Sequence, residues 1–466
     1  MATALSTSAS TSLFKHQSET VDFLTTHPRA LILSDAGTGK TRAVLEAWAR
    51  LNQEYDDLGR LLVIAPLSIL KPAWVNDCSH WTPHLSISVA YNDCRMEAFG
   101  QNTNIVCINH DGVKWLAENQ HVLGAFNGLC IDEFTAFKNP NSDRSNKLRE
   151  LRHYFPIRWL MSGTPTPNSV TDIWFPGFVC DDGDRMGKAF SLFRNQVCDA
   201  EPIPGVAFGK KWVDKPNAQD MIGERLRDIS LRHRLEDCID MPERHEYHHY
   251  VELNDTTRRY YNDMLRESVL ELDETDIEAV HAGARTQKLL QICSGAVYDE
   301  FGTPHVLDTS RYELVADMAE VRQHSLIAFM WQHQKDAIAK ALKKRGLSYA
   351  IIDGNTAHND RTQAVADFQA GKLRVILAHP QSAGHGLTLT QGRTIIWASP
   401  TYNVEHFAQF NARIYRAGQK QTTEFILVTA SDTLEETVYQ KLNDKSLRMT
   451  DLLHLLKQLY ETRKTP

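Results

Sequence analysis

The chain is 466 residues long, more than one hydrophobic core ordinarily organises, so two or three domains are expected. Hydrophobic residues make up 42% and charged residues 23%, which excludes a disordered or fibrous chain. The formal net charge of −7 gives no overall basic character, so a nucleic-acid partner would have to be held by a local basic or amide-lined groove.

Residues 1–12, MATALSTSASTS, lack both a basic flank and a long apolar run and read as a disordered tail, not as a secretion signal. No stretch approaches the ~20 apolar residues of a membrane span, so no membrane partner is expected. The eight cysteines include no CxxC pair, which points to a reduced, cytoplasmic protein.

From 13 to 175, short apolar runs recur at 30–33, 61–65, 104–108, 129–131 and 159–161. They are rich in Val, Ile and Leu and do not alternate with polar residues, as suits strands buried on both faces of a parallel sheet. Helix-period segments such as 41–51 lie between them, and this alternation predicts a doubly wound α/β sheet. After the first run comes Ser34-Asp35-Ala36-Gly37-Thr38-Gly39-Lys40-Thr41. Strand, glycine-rich turn, GKT and helix are the context of a phosphate-binding loop. Here Asp35, Gly37, Thr38, Gly39, Lys40 and Thr41 are expected to cradle ATP. Backbone N–H groups and the helix N-terminus face the phosphates, Lys40 the β- and γ-phosphates, and the Thr41 hydroxyl a Mg²⁺ ion. The run at 129–131 ends in Asp132-Glu133. At the carboxyl edge of a parallel sheet Asp132 would join the Mg²⁺ shell, and Glu133 would orient or deprotonate the attacking water.

Residues 176–280 have few strand-like runs and many charges and read as a helical insertion plus inter-lobe linker. Within them His245, His248 and His249 fit a strand with alternating faces better than a metal cluster, since no further ligand has the right spacing. Trp48, Trp74, Trp159 and Trp174 sit among apolar positions and read as core. From 281 to 430 the buried-strand pattern returns, at 326–330, 349–352, 375–377, 394–397 and 425–428, with a helix-period segment at 334–344. The tail, 431–466, reads as a C-terminal helical brace.

Longer segments carry a resemblance. LLVIAPLSILKPAWVND at 61–77, DEFTAFKNP at 132–140, SGTPTPN at 162–168, LRHRLEDCIDMP at 231–242, QKLLQIC at 287–293, DGNT at 353–356 and QFNARIYRAGQ at 409–419 together resemble superfamily-two helicases, and within them the Swi/Snf-type translocases, over nearly the whole chain. The resemblance implies two tandem RecA-like lobes, 13–175 and 281–430, and a compact engine similar to phage or prokaryotic members, acting in the cytoplasm of a prokaryotic cell or phage-infected host. It implies that Gln17 reads adenine, that Gln409 faces the nucleotide, and that Arg413 and Arg416 reach the γ-phosphate when the lobes close. Guanidinium groups there would stabilise charge on the transferring phosphoryl oxygens.

The expected activity is Mg-ATP hydrolysis coupled to translocation along double-stranded DNA, by a monomer that a further protein could recruit. Candidate backbone contacts are Ser68, Asn109, His110, Lys138, Asn139, Thr356 and Ser382, short polar or basic groups after strand ends that suit phosphate contacts. No base-reading module is visible. Two other readings stay open: a strand-separating DNA or RNA helicase, and a nucleotide-gated DNA clamp with little turnover. The sequence departs from the family at Pro380, Thr388, Ser399 and Tyr402, where Thr, Asn, Asp and Trp are usual, and these departures bear on DNA contacts and coupling.

Overall fold

A computed structural model describes residues 12–443 apart from 168, 203–209, 239, 275–278 and 384–386. The expected tail, except Ser12, and most of the expected brace therefore lie outside the described residues. The chain forms two compact units, Met1–Ala200 with Trp212–Asp240, and Glu201–Lys211 with Met241–Pro466.

The first unit is built on β1 (Arg29–Ile32), β2 (Arg60–Ala65), β3 (Ile87–Ala90), β4 (Ile105–Asn109), β5 (Phe126–Asp132) and β6 (Ile157–Met161). After a two-stranded sheet of β7 (Cys198–Pro202) and β8 (Lys210–Asp214), the short β9 (Ser230–Leu231) completes the main sheet. Its order is β3-β4-β2-β5-β6-β1-β9, and every pairing is parallel. The unbroken apolar runs have a direct physical meaning. Leu61, Val63 and Ala65 of β2 join one core while Leu62 and Ile64 join another on the opposite face. Cys130 and Trp159 likewise face one core and Leu129, Ile131 and Leu160 the other. With both faces covered, these strands are almost wholly apolar inside, and the buried polar exceptions are paired or stand at a strand end: Arg158 pairs with Asp182, and Asp132 ends β5.

Helices α1 (Lys15–Thr26) and α2 (Lys40–Glu54) cover one of these faces. In α2 the residues Val44, Ala47, Trp48 and Leu51 are buried, the i, i+3, i+4, i+7 stripe of a helix lying on a core. Trp48 rests directly on β5, because Gly128 has no side chain there; a Cβ would come within 2.6 Å of the indole. Gly128 thus fixes the helix after the glycine-rich turn against the strand that ends in Asp132.

The second unit repeats the scheme with β10 (Arg244–Val251), β13 (Ser325–Ala328), β14 (Tyr349–Ile352), β15 (Val375–Ala378), β16 (Thr394–Trp397) and β17 (Thr423–Ala430). Their order is β10-β17-β16-β13-β15-β14, again all parallel. A small antiparallel hairpin, β11 (Ala296–Tyr298) and β12 (Pro304–Val306), precedes β13. Residues Ile395 and Trp397 join one core and Ile396 the other, so this sheet is also buried on both faces.

The stretch expected as helical insertion and linker, 176–280, differs in detail. It contributes an edge strand to each main sheet, β9 and β10, besides helices such as Asp255–Glu274. HEYHHYV lies in β10, with His248 Nδ1 2.9 Å from Thr429 Oγ1 of its neighbour β17. Of the expected C-terminal helix, Leu434–Asn443 is described.

Candidate nucleotide site and arginine motif

Parallel strands end at one edge of their sheet, and in the first unit the candidate residues collect there. The phosphate loop follows β1, Asn109 and His110 lie at the end of β4, Asp132 ends β5, and Ser162 follows β6. Within the loop Gly37 has φ +87° and Gly39, at the start of α2, φ +83°. Both lie in the left-handed region that L side chains avoid.

Lys40 Nζ turns back onto the loop, donating to the Ser34 carbonyl at 2.9 Å and the Asp35 carbonyl at 3.1 Å. These contacts hold the ammonium group within the loop. The Thr38 hydroxyl donates to the Asp35 carbonyl at 2.9 Å. Gln17 packs on the same turn: its amide donates to the Thr38 carbonyl at 3.3 Å and accepts from Phe14 N–H at 3.1 Å. His16 Nε2 lies 2.8 Å from the same Thr38 oxygen.

Ser34 and Asp35 have a structural use that the sequence did not announce. Ser34 Oγ accepts from His233 N–H at 3.0 Å, and the Asp35 carboxylate accepts from Leu235 N–H at 3.2 Å. The Asp35 N–H donates to the His233 carbonyl at 3.0 Å. The segment after β9 is thereby laced to the phosphate loop. The usual phosphate-loop pattern, GxxxxGK[ST], opens on glycine where this chain has Ser34; a glycine there would remove one of these ties.

The acidic pair is set by strain and burial. Glu133 has φ +52°, unusual for a residue with a side chain. Its carboxylate accepts from the Ser162 hydroxyl at 3.3 Å, and Ser162 N–H donates to the Ile32 carbonyl of β1 at 3.0 Å. Gly163 lies so close to the loop that a Cβ would approach Ala36 N at 3.2 Å. Asp132 is 5% exposed. Burial, and next the neighbouring charge of Glu133, push its carboxyl up to about 7, opposed by Lys40 and by a hydrogen bond from Trp74. The buried Asp132, the half-buried Glu133 and the Thr41 hydroxyl near the start of α2 are hard oxygen donors of the kind that could hold a divalent cation, whose charge would relieve the repulsion. Trp74 is core, as expected, but its indole N–H also donates to Asp132 Oδ2 at 3.1 Å. This tie joins positions 58 apart, and no local pattern marks it.

The candidate track residues also lie beyond carboxyl strand ends. Ser68 follows β2 in the turn Leu67–Ile69, and Lys138 and Asn139 follow the turn after β5. Asn139 is exposed, and its side-chain oxygen accepts from Asn141 N–H. His110 has a different surrounding from the one expected of a phosphate ligand. Its Nε2 lies 2.8 Å from the Asp132 carbonyl and its ring meets Phe137 edge-on. Burial pulls its pKa down to about 4, so at neutral pH it carries no charge. In the second unit Thr356 closes the turn after β14 through Asp353, and Ser382 sits in the short helix Pro380–Ala383 after β15.

Gln409, Arg413 and Arg416 lie at and beyond the end of the helix Val404–Asn411 of the second unit. Gln409 is buried, with its amide donating to Glu405 at 3.1 Å. Arg413 donates to the carbonyls of Gln409 at 2.9 Å and Leu387 at 3.0 Å, and Arg416 to Leu387 at 3.4 Å. Gln419 staples the same region, donating to the Gly392 carbonyl at 2.9 Å and accepting from Gln421 N–H at 3.0 Å. The Arg-x-Gly-Gln ending and the arginines are therefore held to the segment 387–392; residues 384–386, just before it, lie outside the described residues. Ser399, where the family has Asp, accepts from Arg311 at 3.0 Å and Gln334 at 2.7 Å, while Arg311 pairs with Glu435.

The SNF2-related domain family matches residues 16–295 and the helicase conserved C-terminal domain matches 310–418. The chain belongs to the SNF2-related family. That membership places it among nucleic-acid-dependent ATPases. Its relatives include "Putative protein p41" of Acyrthosiphon pisum secondary endosymbiont phage 1, 28% identical over 92% of this chain and 95% of that protein. They also include an uncharacterized ATP-dependent helicase of Mycoplasma genitalium, 23% identical over 89% of this chain and 39% of that protein. The ISWI chromatin-remodeling complex ATPase ISW1 of Saccharomyces cerevisiae is 24% identical over 91% of this chain and 38% of that protein. The SNF2-related chain thus spans nearly all of the phage relative and about two fifths of the other two.

Proposed function

We propose that this SNF2-related protein couples Mg-ATP hydrolysis to translocation along double-stranded DNA. The observation that carries the ATPase part is the convergence, at one sheet edge, of the phosphate loop with Lys40, the buried Asp132 and the strained Glu133. In this reading Gly37, Thr38, Gly39 and Lys40 bind the phosphates, Gln17 takes the adenine, and Glu133 positions water, held by Ser162. Thr41 and Asp132 hold Mg²⁺, which neutralises phosphate charge when bound. Asp35 keeps the loop in shape through Leu235. Arg413 and Arg416 supply charge to the γ-phosphate after leaving the Leu387 carbonyl. Making hydrolysis wait for that exchange would couple chemistry to movement.

The duplex track is supported by family membership and by the polar residues at carboxyl strand edges of both units: Ser68, Asn109, Lys138, Asn139, Thr356 and Ser382. These would hold phosphates and position the protein without reading sequence. His110 acts instead as a neutral strut beneath Asp132. We read it as a cytoplasmic engine of a phage or its host, working as a monomer; the phage origin is in keeping with the phage protein that it resembles over 92% of this chain. The test is steady-state hydrolysis with no nucleic acid, single-stranded DNA, duplex DNA and duplex RNA at one low salt concentration. Stimulation mainly by duplex DNA is expected. Stimulation mainly by single strands or RNA would replace the reading with an unwinding helicase, and no stimulation at all with a gated clamp.

A further inference from the structure

We propose that Trp74 is a positioning residue for the Asp132 carboxylate, and that the turn carrying it ties the Ser68 segment to the cation site. The inference rests on the function proposed above, in which Asp132 holds Mg²⁺ and Ser68 meets the DNA backbone.

The path begins at β2, which ends at Ala65. Pro66 leads into the tight turn Leu67–Ile69 that presents Ser68, closed by Ile69 N–H donating to the Pro66 carbonyl at 3.0 Å. The chain then enters a π-helical turn, Leu70–Val75, before the helix Asn76–Trp81. Pro72 lies inside that turn. It has no N–H to give and its ring crowds the preceding carbonyls, so a wider turn relieves what a regular α-turn would strain. The wide turn delivers Trp74 into the core, fully buried, with its indole N–H 3.1 Å from Asp132 Oδ2. Apolar packing alone would be served by phenylalanine or leucine. Burying an indole also needs an acceptor for its N–H, and here the acceptor is the carboxylate at the end of the neighbouring strand. An indole has one N–H, so it orients the carboxylate through a single oxygen. Ser68 and Trp74 are six residues apart on one short, compact segment. A displacement of Ser68 by a bound phosphate is therefore felt at Trp74, and through it at Asp132.

Trp74→Phe removes the donor and keeps most of the ring. Equilibrium binding of a fluorescent ADP analogue is measured in EDTA and across a Mg²⁺ titration, without hydrolysis. The Mg²⁺ concentration at half-effect should rise about tenfold, the scale of one hydrogen bond to a charged group, with binding in EDTA unchanged. On an Asp132→Asn background the same substitution should add less than twofold. An unchanged Mg²⁺ midpoint, or equal loss of affinity with and without Mg²⁺, overturns the proposal, the latter because it marks a purely structural role. Should Trp74→Phe not fold, Trp74→Leu, which also lacks a donor, is read by the same titration and the same two outcomes. Hydrolysis by the unaltered protein separates the two claims: if duplex DNA gives no stimulation the functional reading falls, while the Mg²⁺ midpoint still decides the role of Trp74.

Discussion

Gly39→Ala perturbs the phosphate loop in two ways that can be separated. The residue sits at φ +83°, where a side chain costs about 1–2 kcal/mol. A Cβ there would also lie 2.2 Å from Gln17 Nε2, so the Gln17 amide must leave. Leaving gives up its bonds to the Thr38 carbonyl and Phe14 N–H, at about 1 kcal/mol each. The free loop can relax out of this shape but a phosphate-binding loop cannot, so the sum of about 3–4 kcal/mol falls on binding. That corresponds to a loss of nucleotide affinity of roughly two to three orders of magnitude, read by equilibrium titration with a fluorescent ATP analogue. Gln17→Ala alone should cost roughly thirtyfold, from its two bonds. The double variant should lose less than the product of the two, because the amide that the new methyl group strikes is gone. Affinity of Gly39→Ala within threefold of the natural chain, or strict additivity in the double variant, would refute the reasoning.

Glu133→Gln should still bind Mg-ATP but hydrolyse it at least about a hundredfold more slowly, in keeping with loss of a group that activates water; single-turnover kinetics would show this. Arg311 and Glu435 form a buried bidentate pair, with both bonds at 2.8 Å, so Arg311→Ala should destabilise the second unit by about 3–5 kcal/mol by leaving a buried carboxylate without its cation. Chemical denaturation checks it, and a change below 1 kcal/mol would contradict the pairing. His333 lies between Ser294 and Tyr298, and burial pulls its pKa down from 6.5 to about 4. Below pH 6.5 the unfolded chain takes up a proton that the folded chain refuses. Stability should therefore fall as the pH drops from 6.5 to about 4, by roughly 3 kcal/mol from this group, and then level off. The difference in acid sensitivity between the natural chain and His333→Gln isolates this contribution, and identical pH profiles would exclude it.

The strands that carry the site were legible because parallel strands covered on both faces cannot hide their composition: Leu62 and Val63 point into opposite cores, and both must be apolar. The edges were less legible. β3 places Ser88 between Ile87 and Val89, and β9 has two residues, too few for any period to show. The phosphate loop and the acidic pair were readable because their chemistry is local: left-handed glycines, a lysine and a helix start lie within a few residues. What the sequence withheld are ties between distant segments. Trp74 to Asp132, Ser34 to His233 and Ser162 to Glu133 are set by which strands the sheet makes neighbours. His110 illustrates the same limit. Its place after a strand end suggested a phosphate contact, whereas the fold turns its ring onto the Asp132 carbonyl. The arginine motif was recognisable from its pattern, but the reason for its closing glutamine, a staple across the Thr390–Gly392 carbonyls, is tertiary.

Displacement of a triplex-forming strand from an otherwise blunt duplex tests the motor directly, since no base pair of the duplex needs to open. With Mg-ATP the natural chain should release the third strand, and Lys40→Ala should not. Duplex-stimulated hydrolysis without any release of the third strand would contradict translocation.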